Sequence, residues 1–400
     1  MKILLLTPYL PYPPSSGGQV RSYNLIRELY KKHEITLFCY IRDDKERQFI
    51  PELEKYCKKV KVFKRRKAWS PLNILLAGIS PYPFLVAIYL SPTFRRAVSR
   101  ELKEEPYDLI HSETFYVMPN IPKTKVPILL VEQTIEYLVY QIFVEMLPKF
   151  LLPIKPLLLL DVAKIRWWER FFWNKARRLA AMSEEDKNVM LRIAPKLKID
   201  VVANGVDINH FAKTRKVKHE PTVLFVGQFK WLPNSDAAKF LASSIWPLIK
   251  RNYRDVKLWI VGRNPSPEIL ALQKITGVRV DGGVEDIRNA YGRADVLLAP
   301  IRNGRGTRYK ILEAMATKTP IVGTPLAVEG IDVRDGEEVL IGETPEELAN
   351  LTVEILKNPQ LGKKLAESAY KKVKEKYNWK AISDNLDRVY KEVASGSGEN

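Results

Sequence analysis

The chain has 400 residues, 46% of them hydrophobic, with 65 Lys and Arg against 46 Asp and Glu. That length predicts two or three domains with sizeable cores, and cysteine limited to Cys39 and Cys57 excludes a disulfide framework or a cysteine-rich metal site and fits a reducing cytosol. The formal charge of +19 is uneven, with 34 basic against 21 acidic residues in 1–200 and 31 against 25 in 201–400, so the first half would attract anionic lipid, nucleic acid or phosphorylated ligands.

No run reaches the eighteen or so uninterrupted apolar residues of a spanning helix. The opening M-K-I-L-L-L-T-P-Y-L-P-Y-P-P lacks the full apolar region and small-residue cleavage site of a secretion signal, and reads as a first β-strand. Few Gln beside abundant Lys, Glu and Ile fit a thermophilic source. Ser395–Asn400 reads as a linker with the remnant of a protease-site tag, outside the fold.

Strand Lys2–Thr7, a Pro-, Ser- and Gly-rich loop from Pro8 to Gly18 and a helical pattern over Val20–Leu29 make the first unit of a doubly wound sheet. Gly17 and Gly18 either approach a ligand or form a plain turn. Glu34–Tyr40 and Val60–Phe63 are the next strands. The second lies inside Lys58–Lys67, seven basic residues with no acid, which makes a solvated face or, in the sharper reading, meets an anionic membrane surface. Leu72–Leu90 is apolar but broken by Gly78, Pro81 and Pro83, as packed or interfacial helices are. Tyr107–His111 and Val126–Val131 bring this parallel sheet to five or six strands.

Thr134–Arg178 is one long helical pattern, with Trp167, Trp168, Phe171, Phe172 and Trp173 set among basic residues. Most of it is expected to cover the sheet, and Phe150–Leu160 to meet a membrane interface. Strands Leu179–Met182 and Ile199–Val202 flank helix Glu184–Ile193. After a domain boundary near Gly205, strands Val223–Gly227, Lys257–Val261, Val278–Asp281, Val296–Pro300 and Pro320–Gly323 alternate with helices, including Asn234–Ile249. That alternation is a second doubly wound, Rossmann-like sheet, so the fold class is α/β with domains at 1–205 and 206–377. The two sheets would face each other across a cleft, with ligands at the strand C-terminal ends. No strand is followed by G-x-G-x-x-G, which disfavours a dinucleotide dehydrogenase.

Ala299–Thr319, A-P-I-R-N-G-R-G-T-R-Y-K-I-L-E-A-M-A-T-K-T, reads as strand end, glycine loop and helix. Glycines let backbone N–H groups approach a ligand, and the helix start adds donors and a positive dipole end, so the loop suits a phosphate. Arg305, Arg308 and Lys310 add charge, and Glu313, one turn after Lys310, suits the vicinal hydroxyls of a ribose. The unit fits a sugar nucleotide; it also fits an ordinary turn with a surface Lys310–Glu313 pair.

Five stretches then carry a resemblance: Y-D-L-I-H-S-E at Tyr107–Glu113, A-M-S-E-E-D at Ala181–Asp186, N-G-V-D at Asn204–Asp207, F-V-G-Q-F-K-W-L-P-N at Phe225–Asn234 and G-R-G-T-R-Y-K-I-L-E-A-M-A at Gly304–Ala316. In this order they resemble the retaining glycosyltransferases of family four, over nearly the whole chain. The resemblance implies a GT-B fold, a nucleotide-diphosphate sugar donor (UDP- or GDP-linked) with no further cofactor, no catalytic metal, and a final helix, 378–394, returning to the N-terminal domain. It implies that Glu313 holds the ribose, that Gly304, Arg305, Gly306, Thr307, Arg308 and Leu312 line the donor, and that Gly17 and Gly18 close on the diphosphate. Lys230, on the loop after the first C-domain strand, would supply charge, with Arg263, after the next strand, and Lys310 as further candidates; Gly227 would line the donor, and His111, Glu113 and Gln133 would serve the acceptor side.

The family's second glutamate, eight positions before the one matched by Glu313, is here Arg305; an arginine after the first C-domain strand is Gln228, and a histidine after the strand ending at Val131 is Gln133. The implied activity is retaining, metal-independent transfer to a sugar or lipid-linked hydroxyl acceptor, in the cytoplasm or at the inner membrane face, with an anionic membrane as a further partner and no nucleic acid. The alternatives are an inverting GT-B transferase, a sugar-nucleotide epimerase, or a non-enzymatic basic protein that binds membrane or nucleic acid.

Overall fold

A computed structural model describes residues 1–147, 149–217, 219–304 and 306–396. The chain divides into two compact units, one of residues 1–203 with those from 382 onward, the other Asn204–Ala381.

The first unit is built on strands β1 (Lys2–Thr7), β2 (Glu34–Ile41), β3 (Lys59–Lys64), β4 (Leu109–Glu113), β5 (Ile128–Val131), β6 (Arg178–Ala181) and β7 (Ile199–Val201). They form one parallel sheet in the order β3-β2-β1-β4-β5-β6-β7, seven strands where the pattern of the first 131 residues predicted five or six. The order reverses between β1 and β4, where Ile3 pairs with Leu109 and Leu6 with Ser112. β1 and β4 are buried along almost their whole length, as strands covered on both faces are. On one face Tyr40 stacks on Phe94 at 4.7 Å, within a cluster that includes Leu4, Phe38 and Ile110.

Three expectations need correction. β4 starts at Leu109 and runs to Glu113, not Tyr107–His111, because the Tyr107 hydroxyl is turned to Glu101 and Thr36 and a buried strand with His, Ser and Glu does not look apolar. Thr134–Arg178 is two helices, Glu136–Glu145 and Lys155–Trp173, separated by a 3-10 turn at Lys149–Ile154; Pro153 and Pro156 remove the N–H donors that a continuous helix needs. Asn234–Ile249 is helix Leu232–Phe240, a π turn at Leu241–Ile245 and helix Trp246–Asn252, the wide turn accommodating Pro247.

Four of the seven basic residues in Lys58–Lys67 are paired with carboxylates within the chain. Lys59 and Lys61 reach the buried Glu101 at 2.7 and 3.1 Å, Lys58 reaches Glu34 at 2.9 Å and Lys64 pairs with Asp44. This favours the solvated-face reading for Lys58–Lys64, the part of the run that these pairs cover.

The C-terminal helix Trp379–Ser395 lays Leu386, Val389, Tyr390 and Val393 into the first unit's core. Asp387 lies 3.0 Å from His33 Nε2, and Arg178 bonds Glu392 at 2.8 Å. The Tyr390 hydroxyl sits 2.5 Å from His111 Nδ1, both side chains buried. Tyr390→Phe leaves that ring nitrogen buried without its partner, so it should destabilise this unit by about 1–3 kcal/mol, read as a lowered urea midpoint with unchanged far-UV spectrum.

The second unit carries β8 (Thr222–Val226), β9 (Lys257–Val261), β10 (Val278–Asp281), β11 (Val296–Ala299), β12 (Ile321–Gly323) and β13 (Leu340–Ile341). All pairs are parallel, in the order β10-β9-β8-β11-β12-β13. The order reverses between β8 and β11, so loops following those two strands flank the position where doubly wound sheets bind ligands.

Candidate functional site

The loop after β8 is seated by close backbone packing. A Cβ on Gly262 would stand 1.5 Å from the Gly227 carbonyl oxygen, a contact only glycine permits. Gly227 N–H donates to Val261 at 2.9 Å and Phe229 N–H to the Arg263 carbonyl at 3.0 Å. The loops after β8 and β9 therefore adjoin, and they present Lys230 and Arg263 as exposed side chains. Gly227 is buried beneath them.

The loop after β11 turns through Gly304 (φ 98°) and Gly306 (φ 91°), a left-handed conformation that side chains disfavour. A Cβ on Gly304 would also meet Pro233 at 2.8 Å. Arg308 is buried and its Nη1 donates to the Gly306 carbonyl at 2.8 Å; burial lowers its pKa, with Glu329 opposing. Thr307 is half-buried, and Arg305 lies outside the described residues.

Helix Tyr309–Ala316 begins without a side-chain cap, which leaves its first turn suited to an anion. It buries Ile311, Leu312, Ala314, Met315 and Ala316, so it is wedged into the unit rather than laid on its surface. Leu312 is fully buried and packs in that core. Lys310 is 8% exposed, donates to Asn234 Oδ1 at 2.9 Å and lies 4.4 Å from the Phe225 ring centroid. Burial, reinforced by Arg308 and opposed by Glu313, brings its pKa down to about 7.

Glu313 is half-buried. The Tyr291 hydroxyl lies 2.9 Å from Glu313 Oε2 and 3.1 Å from the Lys310 carbonyl oxygen, so one fully buried phenol fixes both the carboxylate and the helix turn that carries it. Burial raises the Glu313 pKa, with Tyr291 and Lys310 pulling it back. Asn234 in turn donates to the Gln228 carbonyl at 3.0 Å, which ties the β8 loop to Lys310. Sequence reasoning missed Tyr291, Asn234 and Gly262.

In the first unit, Gly17 and Gly18 open helix Gly17–Leu29. A Cβ on Gly18 would stand 2.5 Å from both Gln133 Oε1 and the Tyr9 hydroxyl. Gln133 donates to Tyr9 at 2.5 Å and to Glu113 Oε2 at 2.7 Å. Glu113 Oε1 lies 3.3 Å from His111 Nε2. Burial raises the Glu113 carboxyl, but His111, Arg21 and Gln133 outweigh it and hold the pKa below the ordinary value. Thus His111, Glu113 and Gln133 form one connected network beside Gly18, with His111 at its buried end. Thr114, which follows β4, is held at φ 70°, strained for a β-branched residue. Among the described residues no group of three or more His, Cys, Asp and Glu side chains is placed to hold a metal ion.

Two family models match the chain. The one described as Glycosyltransferase Family 4 matches residues 15–210 and the one described as Glycosyl transferases group 1 matches residues 220–358. The phosphatidyl-myo-inositol mannosyltransferase of Mycobacterium tuberculosis is 30% identical over 211 residues, which take in 49% of this chain and 54% of that protein. An uncharacterized glycosyltransferase of Methanocaldococcus jannaschii is 24% identical over 247 residues, 56% of this chain and 61% of that protein. The alignments thus span little more than half the length of these curated relatives. Among solved structures, sucrose-phosphate synthase from Thermosynechococcus elongatus has a TM-score of 0.73 at 16% identity, covering 99% of this chain and 100% of that one. Anabaena HepE in complex with UDP and glucose has a TM-score of 0.63 at 15% identity, covering 98% and 100%. These likenesses show the GT-B fold.

Proposed function

We propose, on the premise that this chain belongs to the family-four glycosyltransferases whose domain models match both its halves, that it transfers a glycosyl group from a UDP- or GDP-sugar to a hydroxyl acceptor with retained anomeric configuration. The observation that carries this reading is the Tyr309–Ala316 helix at the strand-order reversal of the second sheet. It holds a buried cation, Lys310, and a carboxylate, Glu313, one turn apart and fixed by Asn234 and Tyr291.

In this reading Glu313 accepts hydrogen bonds from the ribose hydroxyls, and the Gly306–Thr307 backbone with Lys310 grips the diphosphate. Lys230 and Arg263, exposed on the adjoining loops, add charge. The bond between the sugar C1 and the diphosphate oxygen breaks, the acceptor oxygen bonds C1, and its proton passes to the leaving phosphate. Charge growing on that phosphate is met by groups already in place, where preorganised donors contribute most. The acceptor is a sugar or lipid-linked hydroxyl. The similarity to a mannosyltransferase whose name gives a phosphatidyl-inositol acceptor supports the lipid-linked class. His111, Glu113 and Gln133 serve that side by fixing the Gly17–Gly18 turn.

A thermal-shift screen against UDP, GDP, ADP and their sugars tests the reading. One nucleotide should stabilise by about 2.7 kcal/mol at a hundred times its Kd, and a flat response to all of them would overturn it. Product NMR then checks that the anomeric configuration is retained.

A further inference from the structure

We infer that an exposed apolar face of the first unit docks on a lipid bilayer rich in anionic headgroups. The face is assembled from three segments: helix Pro71–Ile79, the turn Lys149–Ile154 and the start of helix Lys155–Trp173. Trp69, Ile79, Phe150, Leu157, Leu160 and Trp167 are each more than half exposed. Such a concentration of large apolar side chains marks an interaction surface.

The segments are contiguous. Leu157, Leu160, Lys164 and Trp167 follow helical three- and four-residue spacing and so share one face of their helix. Lys164 Nζ on that face donates to the carbonyl oxygens of Ala77 and Ser80 at 2.6 and 3.0 Å, which brings the end of the Pro71–Ile79 helix against it. Trp168 Nε1 donates to the Pro81 carbonyl at 2.9 Å and Tyr82 stacks on its ring at 4.8 Å. Another side of the longer helix is committed to the core through Val162, Ile165, Phe172 and Trp173. Of its four leucines at 157–160, Leu158 packs against that core, while Leu157, Leu159 and Leu160 are exposed.

Charge selects the occupant. Residues 55–100 contain eleven Lys and Arg and no Asp or Glu, and residues 146–160 contain no acid either. The β3 lysines are paired with carboxylates, so the charge beside the apolar face comes from Arg66, Lys67, Lys155 and Lys164. Arg66 bonds the Asn73 side chain at 2.8 Å and the Ala87 carbonyl at 2.7 Å, and Lys164 donates to the Ala77 and Ser80 carbonyls while acting electrostatically on Asp161 one turn before it. Lys67 is exposed and Lys155 half-buried. Asp161, on the same helix, accepts the Phe84 N–H at 2.8 Å. A second copy of this face would set like charges against each other, whereas a bilayer receives leucine, phenylalanine and tryptophan in its interface and lysine and arginine at anionic headgroups.

The test is cosedimentation of the full chain with phosphatidylcholine vesicles and with vesicles containing phosphatidylglycerol, without donor or acceptor. Its outcome is therefore independent of the enzymatic reading. The protein should sediment with the phosphatidylglycerol vesicles and be released in part by high salt. The triple variant Phe150→Ser, Leu157→Ser, Leu160→Ser should bind at least ten-fold more weakly with unchanged circular dichroism. The charge reversal Lys67→Glu, Lys155→Glu should weaken binding to the anionic vesicles in particular. Wild-type protein left in the supernatant of anionic vesicles at low salt would overturn the proposal. So would full binding by both variants, or vesicle-free dimerisation that the triple variant abolishes.

Discussion

Glu313→Gln should lower kcat/KM for the nucleotide sugar roughly 5- to 1,000-fold while leaving the fold intact. The side chain keeps its shape and can still accept the Tyr291 hydroxyl at the 2.9 Å position, so no cavity opens and no buried donor is orphaned. What is lost is negative charge at two hydroxyl contacts. Hydrogen bonds to a charged group contribute about 1.5–3 kcal/mol each against about 1 for a neutral pair, so the two together lose about 1–4 kcal/mol, and each 1.4 kcal/mol is tenfold. Steady-state kinetics beside a urea melt separates loss of site from loss of fold. Near-wild-type turnover would make the carboxylate a mere helix ion-pair group, worth a few tenths of a kcal/mol.

Lys310→Met should cut kcat/KM by roughly two to three orders of magnitude, the usual penalty for removing one preorganised donor from a site of developing charge. Stability should not fall with it. Lys310 is a buried cation over an aromatic ring, and an apolar side chain of similar length removes a desolvated charge. The pH dependence follows from the same residue. Its pKa in the folded chain is about 7 against about 10.4 for an ordinary lysine. Between those values the unfolded chain binds more protons, so stability rises with pH across that window and the contribution is lost as pH falls through 7. Donor binding favours the protonated amine, so kcat/KM should decline above about pH 7, since that profile reports the free enzyme's essential acid. Lys310→Arg should move the alkaline limb upward, and a limb unchanged in that variant would assign it to another group.

β1, β9 and β10 have the predicted limits because each is a short run closed at once by proline or glycine, at Pro8, Gly262 and Gly282. β13 was missed because two residues, Leu340 and Ile341, carry no period. β4 was displaced by two residues because its buried His111, Ser112 and Glu113 answer to partners brought from far along the chain, Tyr390 and Gln133 among them. The Lys310–Glu313 pair could be read because helical spacing is local. Tyr291 and Asn234 could not, since the sheet order, not sequence proximity, brings them to residue 310. Gly262 stood in the sequence as a lone glycine after a strand, and only the 1.5 Å approach to Gly227 shows why no other residue fits.

A crystal soaked with whichever nucleotide sugar raises the melting temperature addresses the site directly. The ribose hydroxyls should lie within hydrogen-bond distance of the Glu313 carboxylate, and the diphosphate against the Gly306–Thr307 backbone and Lys310 Nζ. A nucleotide bound elsewhere in the second unit, with Glu313 still facing only Tyr291, would contradict the assignment.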